Sequence, residues 1–182
     1  SINENYGREL LELHTLGTGP RTPTNPSSPY VQADVIAVAL TLTGWSYTYA
    51  TDNRSTMFQF QNQYHSQTTK SVMGANYAAG EASGLALLTR LTTFPQTKRF
   101  ICTKLAREFL ATPPAAVIDA CVAAWGTTGS LPRLYVSILA NPLTWKAAQY
   151  GNKVKNPLEL VVSSHRLSSD VEATLTAARV RA

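Results

Sequence analysis

The chain opens on a helical pattern of apolar positions with one misplaced charge. Ile2, Tyr6, Leu10, Leu13 and Leu16 recur at a 3.6-residue period and share one side, while Glu4, Arg8 and Glu12 form an i,i+4 ladder on the other. Glu9 falls inside the apolar arc. An unpaired buried carboxylate costs about several kcal/mol, so the pattern predicts that Glu9 is paired, protonated or bound to a ligand. Arg107, Lys104, Lys70 and Lys155 are the candidate cations for such a pair.

Further along, proline marks the helix starts. Pro at the first helical position loses no hydrogen bond, and a preceding Ser, Thr or Asn caps the exposed amides. Ser28-Pro29, Thr112-Pro113, Asn141-Pro142 and Asn156-Pro157 follow this scheme, with Pro95 and Pro132 in similar places. The expected helices run over roughly 3–16, 30–43, 80–92, 95–110, 113–125, 131–139, 142–149, 157–167 and 169–180. Asn156 and Glu159 have the spacing of a capping box. Between the second and third helices the period changes to two: Trp45, Tyr47 and Tyr49 alternate with Ser46, Thr48 and Ala50. A turn at Asp52-Asn53 then leads to Phe58 and Phe60, which predicts a hairpin. Residues 18–28 read as a surface loop and 62–79 as an irregular region with a short strand at Ser71–Met73.

The expected fold is mainly α: a single helical domain over 1–182, irregular, of about eight or nine helices, with one small β-hairpin near residues 45–60. A length of 182 residues with 44% hydrophobic content suits one core rather than two domains. No apolar run reaches the length of a membrane span, since Gln32 and Asp34 interrupt Val31 to Leu42. The chain has no initiator Met and no signal-peptide pattern, and reads as a fragment or processed product.

Charged residues make up only 15%, with Ser, Thr, Asn and Gln filling the polar surface, which leans toward an extracytoplasmic protein. The net charge of +5 is uneven: residues up to 97 carry five Lys/Arg against six Asp/Glu, and the rest eleven against five. A basic half can meet an anionic polymer, lipid headgroups or nucleic acid. No dense Lys/Arg block or interleaved stacking aromatics occur, so a solvated basic surface is preferred and nucleic-acid binding is the weakest reading.

Cys102 and Cys121, both in expected helices, lack a close metal-ligand spacing. They read equally well as a bridge between neighbouring helices or as two buried thiols. His14 has Leu10 where a helical metal site needs a second ligand. No metal site and no cofactor are expected: nucleophile-elbow, P-loop and dinucleotide motifs are all absent.

Glu9 is the candidate acid/base, since an apolar setting raises a carboxyl pKa. His65 and Lys70 lie in an irregular segment after the aromatic hairpin, where binding and catalytic groups often collect. Trp45, Tyr47, Tyr49, Phe60 and Tyr64 form either a platform for a sugar or peptide or a cover for the end of the helical core.

Several ordered blocks carry a family likeness. Asn3-Glu4-Asn5-Tyr6-x-Arg8-Glu9-Leu10-Leu11-Glu12-Leu13-His14-Thr15-Leu16-Gly17 resembles the signature of the bacterial domain-of-unknown-function family 1800, DUF1800. Gln32-x-Asp34-Val35 leading to Leu42-Thr43-Gly44-Trp45 looks like its second block, and His65 with Lys70 and Gly74 its third. Pro95 to Phe109 with Lys104-Leu105 is similar to the fourth, and Lys153-x-Lys155-x-Pro157-x-Glu159-Leu160 with Arg166 to the last. The resemblance implies a helical, usually exported protein with no established activity, and an N-terminal helical half upstream of residue 1. That half, or another chain, would then pack on the first helix at Ile2, Tyr6 and Leu10. Ser66 and Thr68 stand where the family usually has an acidic residue and a glycine, which weakens a metal-ligand or general-base reading of His65. Val31 replaces a hydroxyl residue that commonly caps the second helix, so capping passes to Ser28 or to the backbone.

Three functions follow in order. The first is an enzyme-like module acting on an extracytoplasmic polymer or envelope component, with Glu9, His65 and Lys70 as catalytic groups. Arg8, Trp45, Tyr47, Lys104, Lys155 and Arg166 then bind an anionic or polymeric ligand. The second is a non-catalytic binding or scaffold module in which these polar residues are structural glue. The third is nucleic-acid binding through the basic half.

Overall fold

In the computed structural model, which describes residues 2–49 and 56–180, the first helix does not bury the face that its apolar period marks. Helix α1 (Glu4–Glu9) starts at Asn3, whose side chain accepts the Tyr6 N–H at 3.0 Å. It continues as a π-helical stretch over Leu10–Thr15, in which the Leu16 N–H bonds the Leu11 carbonyl at 2.7 Å. The wider π turn shifts the later side chains around the axis. Gly7, Leu11 and Leu16 point inward, while Ile2, Tyr6 and Leu13 are exposed.

Gly7 explains the choice of face. Helix α2 (Gln32–Thr41) lies so close that a Cβ at Gly7 would sit 2.6 Å from the Val35 carbonyl oxygen. Backbone proximity therefore fixes this contact, and the large side chains of the Ile2–Tyr6–Leu13 stripe turn outward. Asp34 reaches back to accept the Val31 N–H at 2.8 Å while its own N–H bonds the Val31 carbonyl at 3.0 Å, so the start of α2 is closed by Asp34 and the backbone and not by Ser28.

Strand β1 (Trp45–Tyr49) pairs antiparallel with β2 (Thr56–Phe60), with Trp45 opposite Phe60 and Tyr47 opposite Phe58. The expected turn at Asp52-Asn53 lies outside the described residues. A second hairpin joins β3 (Lys70–Val72) to β4 (Ala75–Tyr77), where the sequence suggested only a short strand. Its two-residue turn places Met73 at φ 46° and Gly74 at φ 77°. The unfavourable Met73 conformation is held from two sides: its N–H donates to Asp34 Oδ1 at 2.6 Å, and Arg90 donates to the Val72 and Met73 carbonyls at 3.0 and 2.9 Å.

Four helices follow: α3 (Glu81–Leu91), α4 (Pro95–Arg107), α5 (Ala115–Ala124) and α6 (Leu131–Leu139). Two 3-10 turns, Pro142–Trp145 and Ala147–Gln149, stand where one helix was expected. Residues 157–180 form a single helix, α7 (Pro157–Val180), rather than two. Its first turn is closed by Asn156 and Glu159, each side chain bonding the other's backbone N–H at 2.8 and 2.9 Å.

Two apolar clusters fill the fold, which is mainly α. Leu11, Tyr30, Val35, Val38, Val72, Leu87 and Leu91 centre the first, built from α1 to α3 and the second hairpin. Leu110, Val117, Trp125, Leu134 and Ile138 centre the second, built from α4 to α6. Cys102 and Cys121 form a disulfide inside it, joining α4 to α5. Among the described residues, no helix is long and apolar enough to cross a membrane.

Candidate functional site

The segment after the first hairpin brings His65 and Lys70 together, both buried. His65 Nδ1 lies 2.7 Å from the Thr43 carbonyl oxygen, which only accepts, so Nδ1 carries the proton. Nε2 is then the acceptor. It receives the Gly80 N–H at 2.9 Å and faces Lys70 Nζ at 3.2 Å. Lys70 also donates to the Ser66 carbonyl, and burial pushes its pKa below the ordinary lysine value. Thr43 closes the ring of bonds: its hydroxyl donates to the Leu40 carbonyl at 2.6 Å and accepts the Ser66 N–H at 2.8 Å. Both nitrogens of His65 are thus engaged by protein groups.

In front of this network lies a groove of about 500 Å³ between α1, the end of α2 and the start of β1. Tyr6, Trp45 and Tyr64 supply its rings, Asn3 and Thr43 its polar groups, and Leu42 its floor. Among the described residues, no charged one lines it. The groove depends on two glycines. Gly44, at φ 79°, lets the chain turn into β1, and a Cβ there would sit 2.7 Å from the Gln61 carbonyl and 3.0 Å from His65 Cβ. A Cβ at Gly84 would lie 2.4 Å from the Trp45 indole, so α3 accepts the ring only because residue 84 has no side chain. Phe58 meets Trp45 edge-on, with ring centroids 5.2 Å apart. The Trp45 indole N–H is buried without a hydrogen-bond partner among the described residues.

The other candidates are dispersed. Glu9 is half-buried, accepts from Asn5 Nδ2 at 2.8 Å, and forms no ion pair with Arg107, Lys104, Lys70 or Lys155 among the described residues. The expectation of a carboxylate sunk among leucines is corrected: Ile2, Tyr6 and Leu13 of that arc are exposed, and Leu10 and Leu16 alone of it reach the core. Arg8 bonds Glu4 at 2.9 Å and Gln32 at 3.0 Å, fastening α1 to α2. Tyr47 is exposed on β1. Lys104 lies over the Phe100 ring at 5.1 Å. Lys155 and Arg166 line a second groove along α7. Neither Glu9 nor His65 lines the groove at Trp45; His65 stands behind its wall at Gly44.

Asn3, Tyr6, Leu42 and Thr43 are groove residues that sequence reasoning did not assign to a site. Tyr6 was hidden by its helical period, which reads as core. Among the described residues, no group of His, Cys, Asp and Glu is placed to hold a metal.

The first three sequence blocks therefore converge on one region: the first meets the second through Gly7 and Arg8, and the second meets the third through Thr43 and His65. The model of the family described as Protein of unknown function (DUF1800) matches residues 1–181. The chain belongs to this family. In DUF1800 terms, the second block contributes Thr43, Gly44 and Trp45 to the groove, while the third supplies the His65 and Lys70 behind it. No curated protein and no solved structure matches the chain.

Proposed function

We propose that this DUF1800 domain is a non-catalytic binding module that holds a neutral glycan strand in the groove at Trp45. The observation that carries this reading is a groove lined by three aromatic rings, an amide and a hydroxyl, with no charged side chain among the described residues. Rigid aromatic faces offer contact area at little conformational cost, and a few polar groups then fix orientation. A sugar ring has matching apolar faces and hydroxyl edges. His65 and Lys70 act in this reading as the brace behind the wall, with their donors and acceptors spent on Thr43, Ser66 and Gly80.

The setting is extracytoplasmic, on the support of the Cys102–Cys121 disulfide, a bond that persists in oxidising compartments. An enzyme-like module using Glu9, His65 and Lys70 has less support, because its groups do not share the groove and both His65 nitrogens are taken. It needs turnover as well as binding.

Calorimetric titration with panels of neutral oligosaccharides and uncharged extended peptides tests the proposal. Saturable glycan binding that is lost in Tyr6→Ala and Tyr64→Ala supports it. Binding of peptides alone reassigns the ligand, and glycan cleavage abolished by Glu9→Gln reinstates the enzyme.

A further inference from the structure

Helix α7 belongs to neither apolar cluster, yet Leu158, Leu160, Val161, Val162 and Leu167 are all exposed on it. Near its start, Lys153, Lys155 and Arg166 border a groove of about 520 Å³ with Leu158 and Val162 in its lining. Charges there are not balanced. Glu159 is the one carboxylate in the lining, and it accepts from Lys153 at 3.1 Å and from the Asn156 N–H at 2.9 Å. Those bonds hold the Glu159 pKa below the ordinary carboxylate value, so it stays ionised and compensates Lys153. Lys155 donates to the neutral Ser163 hydroxyl at 2.7 Å and shares the field of Glu159 with Lys153, and Arg166 makes no hydrogen bond or ion pair among the described residues. Among the described residues the lining thus sets three cations against one carboxylate, beside the apolar Leu158 and Val162.

The distribution of the apolar residues selects among occupants. Leu158 and Val162 are four residues apart and share one side, whereas Leu160 and Leu167 fall on the opposite side. A helix lying on a lipid surface is apolar on one face only. One that is apolar on opposite sides is covered by protein. Exposed apolar surface outside the groove, at Leu160, Val161 and Leu167, lies beyond the reach of a small ligand. No aromatic ring lines the groove to stack on a nucleic-acid base.

We propose that α7 docks an acidic amphipathic helix of a partner protein, with the partner's apolar face over Leu158 and Val162 and its carboxylates against Lys155 and Arg166. This is helix-in-groove recognition with charge complementarity setting the orientation. The site lies on different residues from the glycan groove and stands without it.

The test uses the full chain and a fluorescent synthetic helix with leucines on one face flanked by glutamates, read by anisotropy. Saturable binding is expected, weakened about tenfold or more by the double variant Lys155→Glu/Arg166→Glu. A counterpart helix flanked by lysines should prefer that double variant to the wild type, which separates charge recognition from misfolding. Leu158→Ser should also weaken binding with an unchanged circular dichroism spectrum. Unchanged affinity in the double variant, or equal binding of both helices to the wild type, would overturn the proposal. So would capture by phosphatidylglycerol vesicles or single-stranded DNA without binding of the acidic helix.

Discussion

Lys70 Nζ lies 3.2 Å from His65 Nε2, with both side chains buried and the imidazole accepting because Thr43 holds its other nitrogen. Removing the two partners has unequal effects. His65→Ala leaves the Gly80 N–H without its acceptor and the Lys70 ammonium with the Ser66 carbonyl alone, and is expected to destabilise the domain by about 3 kcal/mol. Lys70→Met replaces a buried charge by an apolar stem and is expected to change stability by less than about 1 kcal/mol at neutral pH. Denaturant unfolding of both variants measures the difference.

The same pair predicts how stability changes with pH. Burial lowers the Lys70 pKa from 10.5, so between the folded value and 10.5 the unfolded chain binds more protons. Stability contributed by this site therefore rises with pH across that window. Tyr30 acts later and in the opposite sense. Burial, aided by the Glu12 charge, pushes its phenol up from 10.0 to about 12, so its contribution is present below 10 and lost as pH approaches 12. Unfolding curves at pH 7 and 9.5 should show the wild type gaining stability relative to Lys70→Met. A constant difference between the two would contradict the burial of the charged lysine.

Gly84→Ala drives a methyl group into the Trp45 indole, where the ideal Cβ position is only 2.4 Å away. Overpacking of this kind costs about 1–3 kcal/mol. Because the indole must shift, the variant should also lose glycan affinity, whereas Gly74→Ala should not, since no atom lies within 4 Å of a Cβ there. Parallel melting and titration of the two variants check this.

The disulfide joins two helices 19 residues apart in sequence, and its removal in Cys102→Ala/Cys121→Ala should cost about 3 kcal/mol. The loss should appear in thermal unfolding while glycan binding is retained, because the cysteines lie in the second apolar cluster, away from Trp45.

Three helix starts were readable from proline and capping residues, since Pro95, Pro132 and the Asn156/Glu159 box stand where they were expected. Ser28-Pro29 and Thr112-Pro113, by contrast, do not cap α2 and α5, which begin at Gln32 and Ala115. The face of the first helix was not readable. Periodicity weighs side-chain hydrophobicity, and so favours Ile2, Tyr6 and Leu13; it is blind to Gly7, whose missing Cβ decides which side meets α2. The π-helical stretch further shifts the face in a way that a fixed 3.6-residue period does not follow. His65 and Lys70 were recognised as neighbours in an irregular segment, but their enclosure depends on Thr43 and Gly80, distant partners without a local signal. The second hairpin was half visible for a related reason: its turn uses Met73 at positive φ, held there by Asp34 and Arg90.

Amide and indole NMR spectra recorded during titration with a neutral oligosaccharide distinguish binding at Trp45 from chemistry at Glu9 and His65 most directly. The Trp45 indole N–H, which has no partner among the described residues, should shift progressively together with signals of Tyr6 and Tyr64, while the sugar remains intact. Shifts centred on Glu9 and His65, accompanied by conversion of the sugar, would contradict a non-catalytic binding module.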